Sequence, residues 1–206
     1  NGAGKSTMIK SIVGAHTPDR GEVRVFGDRD KKAVRRVTYV PQQESIDFDF
    51  PVTVHDVVKQ GRYGHVGLLG RLSRDDRDAI DEALEFVGMT TFVDRQIGEL
   101  SGGQRQRVFL ARALAQQGDV YLLDEPFVGV DAATESAIVD VLRRLQEQGR
   151  AVMVVHHDLA TVEEYFDKLL LMDAELIAYG DVEATFTTEL LQKTYGGQLT
   201  VLEGAG

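Results

Sequence analysis

Cysteine is absent from this 206-residue chain, which excludes disulfide bonds, thiolate metal sites and cysteine nucleophiles. No apolar run is long enough to cross a bilayer as a helix. Basic residues are few: 23 lysines and arginines face 33 acidic residues, for a net charge of −10. Because broad nucleic-acid binding needs a basic face, we expect no nucleic-acid partner, although the charge leaves room for a small basic patch.

The remaining composition is that of an ordinary globular protein, with 43% hydrophobic and 27% charged residues. The length fits one domain, or a core with one inserted subdomain. Residues Ser73 to Val87 predict an amphipathic helix, capped by Ser73 and ended by Gly88.

A Ser-Gly-Gly turn within Leu100-Ser101-Gly102-Gly103-Gln104 precedes a long apolar-periodic run. Ser101 is a good N-cap residue, so the turn predicts the start of a helix. A helix N-terminus offers unpaired N–H groups and a positive dipole end, and two glycines let an anion approach the backbone. By itself, such a turn is either a simple cap or a phosphate-binding element.

The first residues match the second half of a P-loop, G-x-x-x-x-G-K-[ST]. They are Asn1, Gly2, Ala3, Gly4, Lys5, Ser6 and Thr7. In such a loop the backbone wraps phosphate, Lys5 reaches the β- and γ-phosphates, and Ser6 coordinates Mg²⁺. The first glycine of the pattern would lie two positions before Asn1, so we expect the chain to be a fragment cut inside its own motif.

Glu22 to Phe26 and Val34 to Val40 predict strands, the second ended by Pro41. Gln42 follows that strand, where ligands bind in open α/β sheets. This glutamine either holds Mg²⁺ or the attacking water, or is a solvated loop amide.

Val120 to Leu123 predicts a buried strand that ends in Asp124-Glu125. An aspartate at this place can hold Mg²⁺ in the manner of a Walker B motif. Glu125 can polarise the water that attacks the γ-phosphate.

Gly129-Val130-Asp131 leads into a further amphipathic helix, and Ala151 to Val155 predicts the next core strand. His157 follows that strand, where a histidine either contacts the γ-phosphate or is structural. Leu169 to Met172 and Leu176 to Tyr179 predict a hairpin.

Aromatic residues next to glycines mark the stretch from Glu44 to Gly70, where valines also recur at helical spacing. The aromatic residues are Phe48, Phe50 and Tyr63. They indicate either a docking surface or the core of a small helical subdomain.

Residue chemistry alone therefore predicts a P-loop NTPase with an α/β core. Its two phosphate-type helix N-termini, at Gly4 and Gly103, are separated by a whole inserted helical region. One nucleotide would not touch both in one chain, and a head-to-tail dimer would solve this problem.

These motifs, in this order, resemble the ATP-binding subunit of an ABC transporter along essentially the whole chain. Leu100 to Gln104 matches the ABC signature, Tyr39-Val40-Pro41-Gln42 the Q-loop, and Tyr121 to Pro126 the Walker B motif. The resemblance implies a RecA-like core, residues 1–45 and 117–206, with an inserted helical subdomain at 46–116. It also implies that the family's N-terminal strands are missing. We therefore expect weakened folding, weakened ATP binding and poor ATP hydrolysis in this fragment.

The resemblance further implies a dimer that closes on two ATP molecules. Glu125, His157 and Gln42 would be catalytic, and Mg²⁺ would be held through ATP by Ser6, Gln42 and Asp124. The signature residues Ser101, Gly102, Gly103 and Gln104 would complete the partner's site, and Asp131 would stand in the D-loop.

A narrower resemblance links the chain to the manganese, zinc and iron importer ATPases, through Asp47 to Pro51, Gly61 to His65, Asp94 to Ile97 and Leu191 to Gly197. It implies a peripheral position on the cytoplasmic face of the membrane. Permease subunits would dock near Phe48, Phe50 and Tyr63, and an extracytoplasmic solute-binding protein would act indirectly. The alternatives are an importer ATPase for another substrate, a soluble ABC ATPase of DNA repair or translation, and a non-catalytic interaction module.

Overall fold

The computed structural model describes residues 4–29, 31–42, 51–66 and 70–196. In these residues the α-helices are α1 (Lys5–Ile12), α2 (Lys31–Val34), α3 (Val54–Lys59), α4 (Tyr63–Val66), α5 (Arg74–Phe86), α6 (Gly102–Leu114), α7 (Ala132–Glu147), α8 (Val162–Tyr165), α9 (Val182–Thr185) and α10 (Thr188–Tyr195). The strands are β1 (Val37–Val40), β2 (Val120–Asp124), β3 (Ala151–Val155), β4 (Lys168–Asp173) and β5 (Glu175–Asp181). Short 3₁₀ helices span Gln60–Arg62, Thr90–Phe92, Ile97–Glu99 and Leu159–Thr161.

The chain divides into two compact units, which are described separately. The larger unit is Ile12–His156, and the smaller combines Asn1–Ser11 with His157–Gly206. No helix in the described residues is long and apolar enough to cross a membrane.

A parallel sheet in the order β1-β2-β3 organises the larger unit. Val40 of β1 pairs with Leu123 of β2, and Asp124 pairs with Val155 of β3. Parallel neighbours need a crossover connection, which α7 supplies between β2 and β3. The carboxyl ends of these strands therefore lie on one edge of the sheet, which brings Gln42 and Asp124 to the same edge.

The strand predictions for this unit are confirmed for β2 and β3 and need two corrections. The strand predicted from Val34 begins only at Val37, because Val34 ends α2 and Arg36 N donates to Ala33 O at 3.1 Å. The strand predicted from Glu22 to Phe26 is wrong. In the described residues this stretch forms only a bridge between Val25 and Asp28, because Phe26 takes a left-handed φ of 53° and reverses the chain.

Helices α3, α5 and α6 pack together around an apolar core. The predicted amphipathic helix is confirmed as α5, with Ser73 in a capping box and Gly88 at a φ of 68° just beyond its end. Val54, Val57 and Val58 are buried, as a helical core in this stretch requires. Phe48 and Phe50 lie outside the described residues.

The smaller unit contains the β4–β5 hairpin with α9 and α10 packed on it. The hairpin is confirmed, with Ala174 at the turn in a left-handed conformation and an irregular register at Leu171/Met172. Leu171 and Leu191 are buried between the strands and α10, and Ile9 of α1 is fully buried.

Candidate functional site

Asp124 is the last residue of β2 and is only 9% exposed. Its Oδ2 accepts a hydrogen bond from the hydroxyl of Tyr39 on the neighbouring strand, at 3.3 Å. Burial raises the pKa of Tyr39 above its usual value, and the negative charge of Asp124 adds to this effect. Tyr39 therefore remains a protonated donor to the carboxylate at neutral pH.

Glu125 lies on the same sheet edge and contacts Gln42, the predicted Q-loop glutamine. Gln42 Nε2 donates to Glu125 Oε2 at 2.7 Å. The glutamate backbone has a φ of 52°, which is uncommon outside glycine, and its N–H donates to Val155 O at 3.2 Å. Strained backbone of this kind is typical of functional sites.

The Ser-Gly-Gly turn forms the N-terminus of α6, as predicted. Ser101 Oγ accepts from Gln104 N at 3.2 Å, and Gln104 Oε1 accepts from Ser101 N at 2.9 Å, which makes a complete capping box. Gly103 is buried, and a Cβ at this position would lie 2.8 Å from Thr134 Cγ2 and closer still to its Oγ1. A glycine is required here because the side chain of Thr134 fills the space.

Asp131 caps the N-terminus of α7, whose first turn lies next to the Ser-Gly-Gly turn. Its Oδ1 accepts from Thr134 N at 2.8 Å, and its Oδ2 accepts from Thr134 Oγ1 at 3.2 Å. The hydrogen bond from Thr134 N has the larger effect and that from Thr134 Oγ1 the smaller, and together they hold the pKa of Asp131 below its usual value. Thr134 thus joins the predicted D-loop aspartate to the predicted signature turn within one chain.

In the smaller unit, the described residues of the predicted P-loop lie at the start of α1. Gly4 has a φ of 84°, which favours glycine, and its carbonyl accepts from Met8 N at 2.9 Å. Lys5 is the first residue of the helix, and Ser6 and Thr7 are exposed in its first turn. Because first-turn N–H groups have no partner within the helix, the arrangement suits a phosphate. The residues of the motif outside the described ranges are Asn1, Gly2 and Ala3.

His157 also belongs to the smaller unit and is exposed. The next residue, Asp158, caps a short 3₁₀ helix by accepting from Ala160 N at 2.9 Å. The contact of His157 with a γ-phosphate stays a prediction.

Sequence reasoning missed Tyr39 as a partner of Asp124, and Thr134 as the link between Asp131 and Gly103. The only local signal was the three-residue spacing from Asp131 to Thr134, which is typical of an N-cap. Tyr63, which was predicted at a docking surface, is 54% exposed and lines a cavity of about 660 Å³ together with Lys59 and Arg71.

The described residues fit ATP and Mg²⁺ chemically. In the smaller unit, Gly4 and the first-turn N–H groups of α1 suit a phosphate. In the larger unit, Asp124 carries a carboxylate oxygen of the kind that Mg²⁺ prefers. Gln42 donates to Glu125 through Nε2. The other polar atom of the amide, Oε1, is an acceptor and has the chemistry of an oxygen ligand. A parallel sheet with paired acids after a core strand, in a chain with a Gly-Lys-Ser helix start, defines a P-loop ATPase.

Comparisons with known proteins make this class more specific. Residues 1–128 match the ABC transporter family. The zinc transport system ATP-binding protein TroB of Treponema pallidum (strain Nichols) is 55% identical over 200 residues, which cover 97% of this chain and 75% of TroB. The manganese transport system ATP-binding protein MntB of Bacillus subtilis (strain 168) is 54% identical over 203 residues, which cover 98% of this chain and 81% of MntB.

The fold gives the same answer. The structure of cbiO1 from Clostridium perfringens, part of the ABC transporter complex cbiONQ, matches with a TM-score of 0.74 and 27% identity, covering 98% of this chain and 82% of cbiO1. The chain belongs to the ABC transporter family. It is an ATP-binding, ATP-hydrolysing subunit of the kind that works with membrane permease components.

Proposed function

We propose that this protein powers the import of manganese, zinc or iron through membrane-spanning partner subunits. The observation that carries the proposal is the identity of 54–55% to a zinc and a manganese transport ATPase along nearly the whole chain. The part of the chain that the structure describes holds no group of three or more His, Asp or Glu residues that could bind a metal ion. The transported metal would therefore be bound by other subunits.

The sheet edge supports a hydrolytic role. Glu125 would accept the proton of the attacking water, and the 2.7 Å hydrogen bond from Gln42 to its carboxylate supports this role. Asp124, Gln42 and Ser6 would hold Mg²⁺, which would neutralise phosphate charge. Lys5 and its neighbours from Asn1 to Thr7 would bind the phosphates, and His157 would contact the γ-phosphate.

A second copy of the chain would complete each site. The capped start of α6, Ser101 to Gln104, would face the ATP of the partner, and Asp131 would lie beside it because Thr134 ties the two turns together. The catalytic core would comprise 1–45 and 117–206, and the helical subdomain 46–116. Permease subunits would dock near Phe48, Phe50 and Tyr63 at the cytoplasmic face of the membrane, with an extracytoplasmic solute-binding protein delivering the metal.

The test is uptake of manganese, zinc and iron by cells that carry the complete gene with its native neighbours, compared with a Glu125→Gln variant. Uptake of one metal that disappears in the variant supports both transport and the substrate. ATPase activity of the complete protein without uptake of any of the three metals would overturn the metal assignment. It would favour an importer of another substrate or a non-transport ABC ATPase.

A further inference from the structure

Arg62 is a buried cation, 6% exposed, in the helical part of the larger unit. Its Nε donates to Asp76 Oδ1 at 2.8 Å, and its Nη1 donates to Ala115 O at 2.7 Å and to Gln117 Oε1 at 3.1 Å. Arg62 therefore connects the 3₁₀ helix that carries it to two other elements, the first turn of α5 and the carboxyl end of α6.

Asp76 anchors the other side of this contact. Its Oδ2 accepts from Ser73 N at 2.9 Å and from Ser73 Oγ at 2.7 Å, while Oδ1 faces Arg62. The hydrogen bonds from Ser73, then that from Arg62, lower the pKa of Asp76 to about 2. Asp76 is therefore ionised at neutral pH. The planar guanidinium of Arg62 fixes the direction of the contact in a way that a lysine ammonium would not.

Gly61 allows the 3₁₀ helix Gln60–Arg62 to pack closely against the end of α6. A Cβ on Gly61 would lie 3.1 Å from Ala115 Cβ and would overlap the carbonyl oxygen of Arg112, in the last turn of the helix. The 13 residues of α6 run from this contact to the Ser-Gly-Gly turn, a distance of about 20 Å. If α6 shifts as one rigid element, a displacement at Ala115 would be carried along the helix to Ser101.

We propose that Arg62 is a positioning residue that couples the exposed surface at Tyr63 to the signature turn, by holding the carboxyl end of α6. Tyr63 follows Arg62 directly in the chain and is 54% exposed. A partner that pushes on Tyr63 therefore moves Arg62, and the ion pair with Asp76 and the bond to Ala115 O carry that movement into α6. The inference rests on the proposed docking of permease subunits near Tyr63.

The test compares Arg62→Lys with Arg74→Lys in the complete protein, alone and assembled with its native membrane subunits in proteoliposomes. Arg74 is the matched control, since it pairs with Asp78 on the exposed face of α5 at 3.9 Å. We expect Arg62→Lys to lower the stimulation of ATP turnover by the membrane subunits about fivefold or more. We expect Arg62→Lys to leave the ATP dissociation constant and the ATP turnover of the isolated subunit unchanged. We expect Arg74→Lys to change neither of these quantities nor the stimulation by the membrane subunits.

The inference is overturned when the Arg62→Lys complex is stimulated like wild type, or when turnover falls equally with and without membrane subunits in step with a lower Tm. If Arg62→Lys does not fold, Asp76→Asn is judged by the same measurements, and failure of both to fold assigns Arg62 a structural role only. A wild-type complex that is stimulated but imports none of the three metals overturns the proposed substrate. The proposal on Arg62 is then still decided by comparing the stimulation of ATP turnover in Arg62→Lys with that in wild type. A wild-type complex without stimulation overturns both proposals.

Discussion

The side chain of Gln42 donates a hydrogen bond to the carboxylate of Glu125 at 2.7 Å, joining residues 83 positions apart in the chain. The glutamine stands after β1 and the glutamate after β2, so the parallel register of the two strands makes the contact. A donor at this distance fixes the orientation of the carboxylate, which a general base needs in order to reach its proton.

Gln42→Glu should change the pH dependence of ATP hydrolysis. Two carboxylates at hydrogen-bond distance do not both ionise readily, so the pKa of the pair rises. We expect kcat to fall at neutral pH and its acidic limb to move upward by about two pH units. Gln42→Ala is the control, because it removes the donor without adding a charge and should lower kcat with no such movement. Identical profiles for the two variants would contradict a role for this contact.

Gly103→Ala and Gly102→Ala should affect stability in different ways. The new Cβ at 103 would overlap Thr134, which is stiff at χ1 and bonded to Asp131, whereas at 102 the nearest neighbour is Gly129 O at 3.9 Å. We expect Gly103→Ala to lower the free energy of unfolding by about 1–3 kcal/mol, and Gly102→Ala to cause no loss. Thermal unfolding without nucleotide measures both, and equal Tm values would show that Thr134 gives way.

Asp131→Ala and Asp131→Ser should separate helix capping from the proposed D-loop role. Serine keeps an acceptor for Thr134 N, and alanine does not. We expect the Tm to fall for alanine and to change little for serine. If Asp131 also acts in the dimer, both variants lose ATP turnover. Full turnover of the serine variant would restrict Asp131 to capping.

Asp76→Asn should remove part of the acid sensitivity of the fold. The pKa of Asp76 is about 2 in the folded protein and near 4 in an unfolded chain. A carboxyl with a lowered pKa stabilises the fold above its unfolded pKa and loses this contribution as the pH falls through the folded pKa. The Tm difference between wild type and Asp76→Asn should therefore be largest above about pH 4 and shrink toward about pH 2.

The matched control for this measurement is Asp78→Asn, since Asp78 is exposed and pairs only loosely with Arg74. Its Tm difference from wild type should be small at every pH, because exposed ion pairs contribute little. A constant gap between wild type and Asp76→Asn down to pH 2 would mean that the carboxylate charge does not stabilise this contact.

Features that depend on residues close in sequence could be predicted from the sequence. The caps at Ser73 and Ser101 each close within three residues, so a serine with an acid or amide three positions later is enough to locate them. The strand before Asp124 was likewise visible as an apolar run that ends in acids. The strand at Glu22 was wrong because a strand needs a partner, and the local pattern did not show that Phe26 reverses the chain.

The sequence alone determined the chemical groups, the local turns that present them and, through the order of its motifs, the family. Only the tertiary structure decided which groups meet: Gln42 with Glu125, Gly103 with Thr134, and Arg62 with the end of α6. The physical reason is that capping bonds lie within one turn of chain, where spacing fixes geometry. Contacts between distant residues depend on strand order and helix packing, which no short stretch of the sequence encodes.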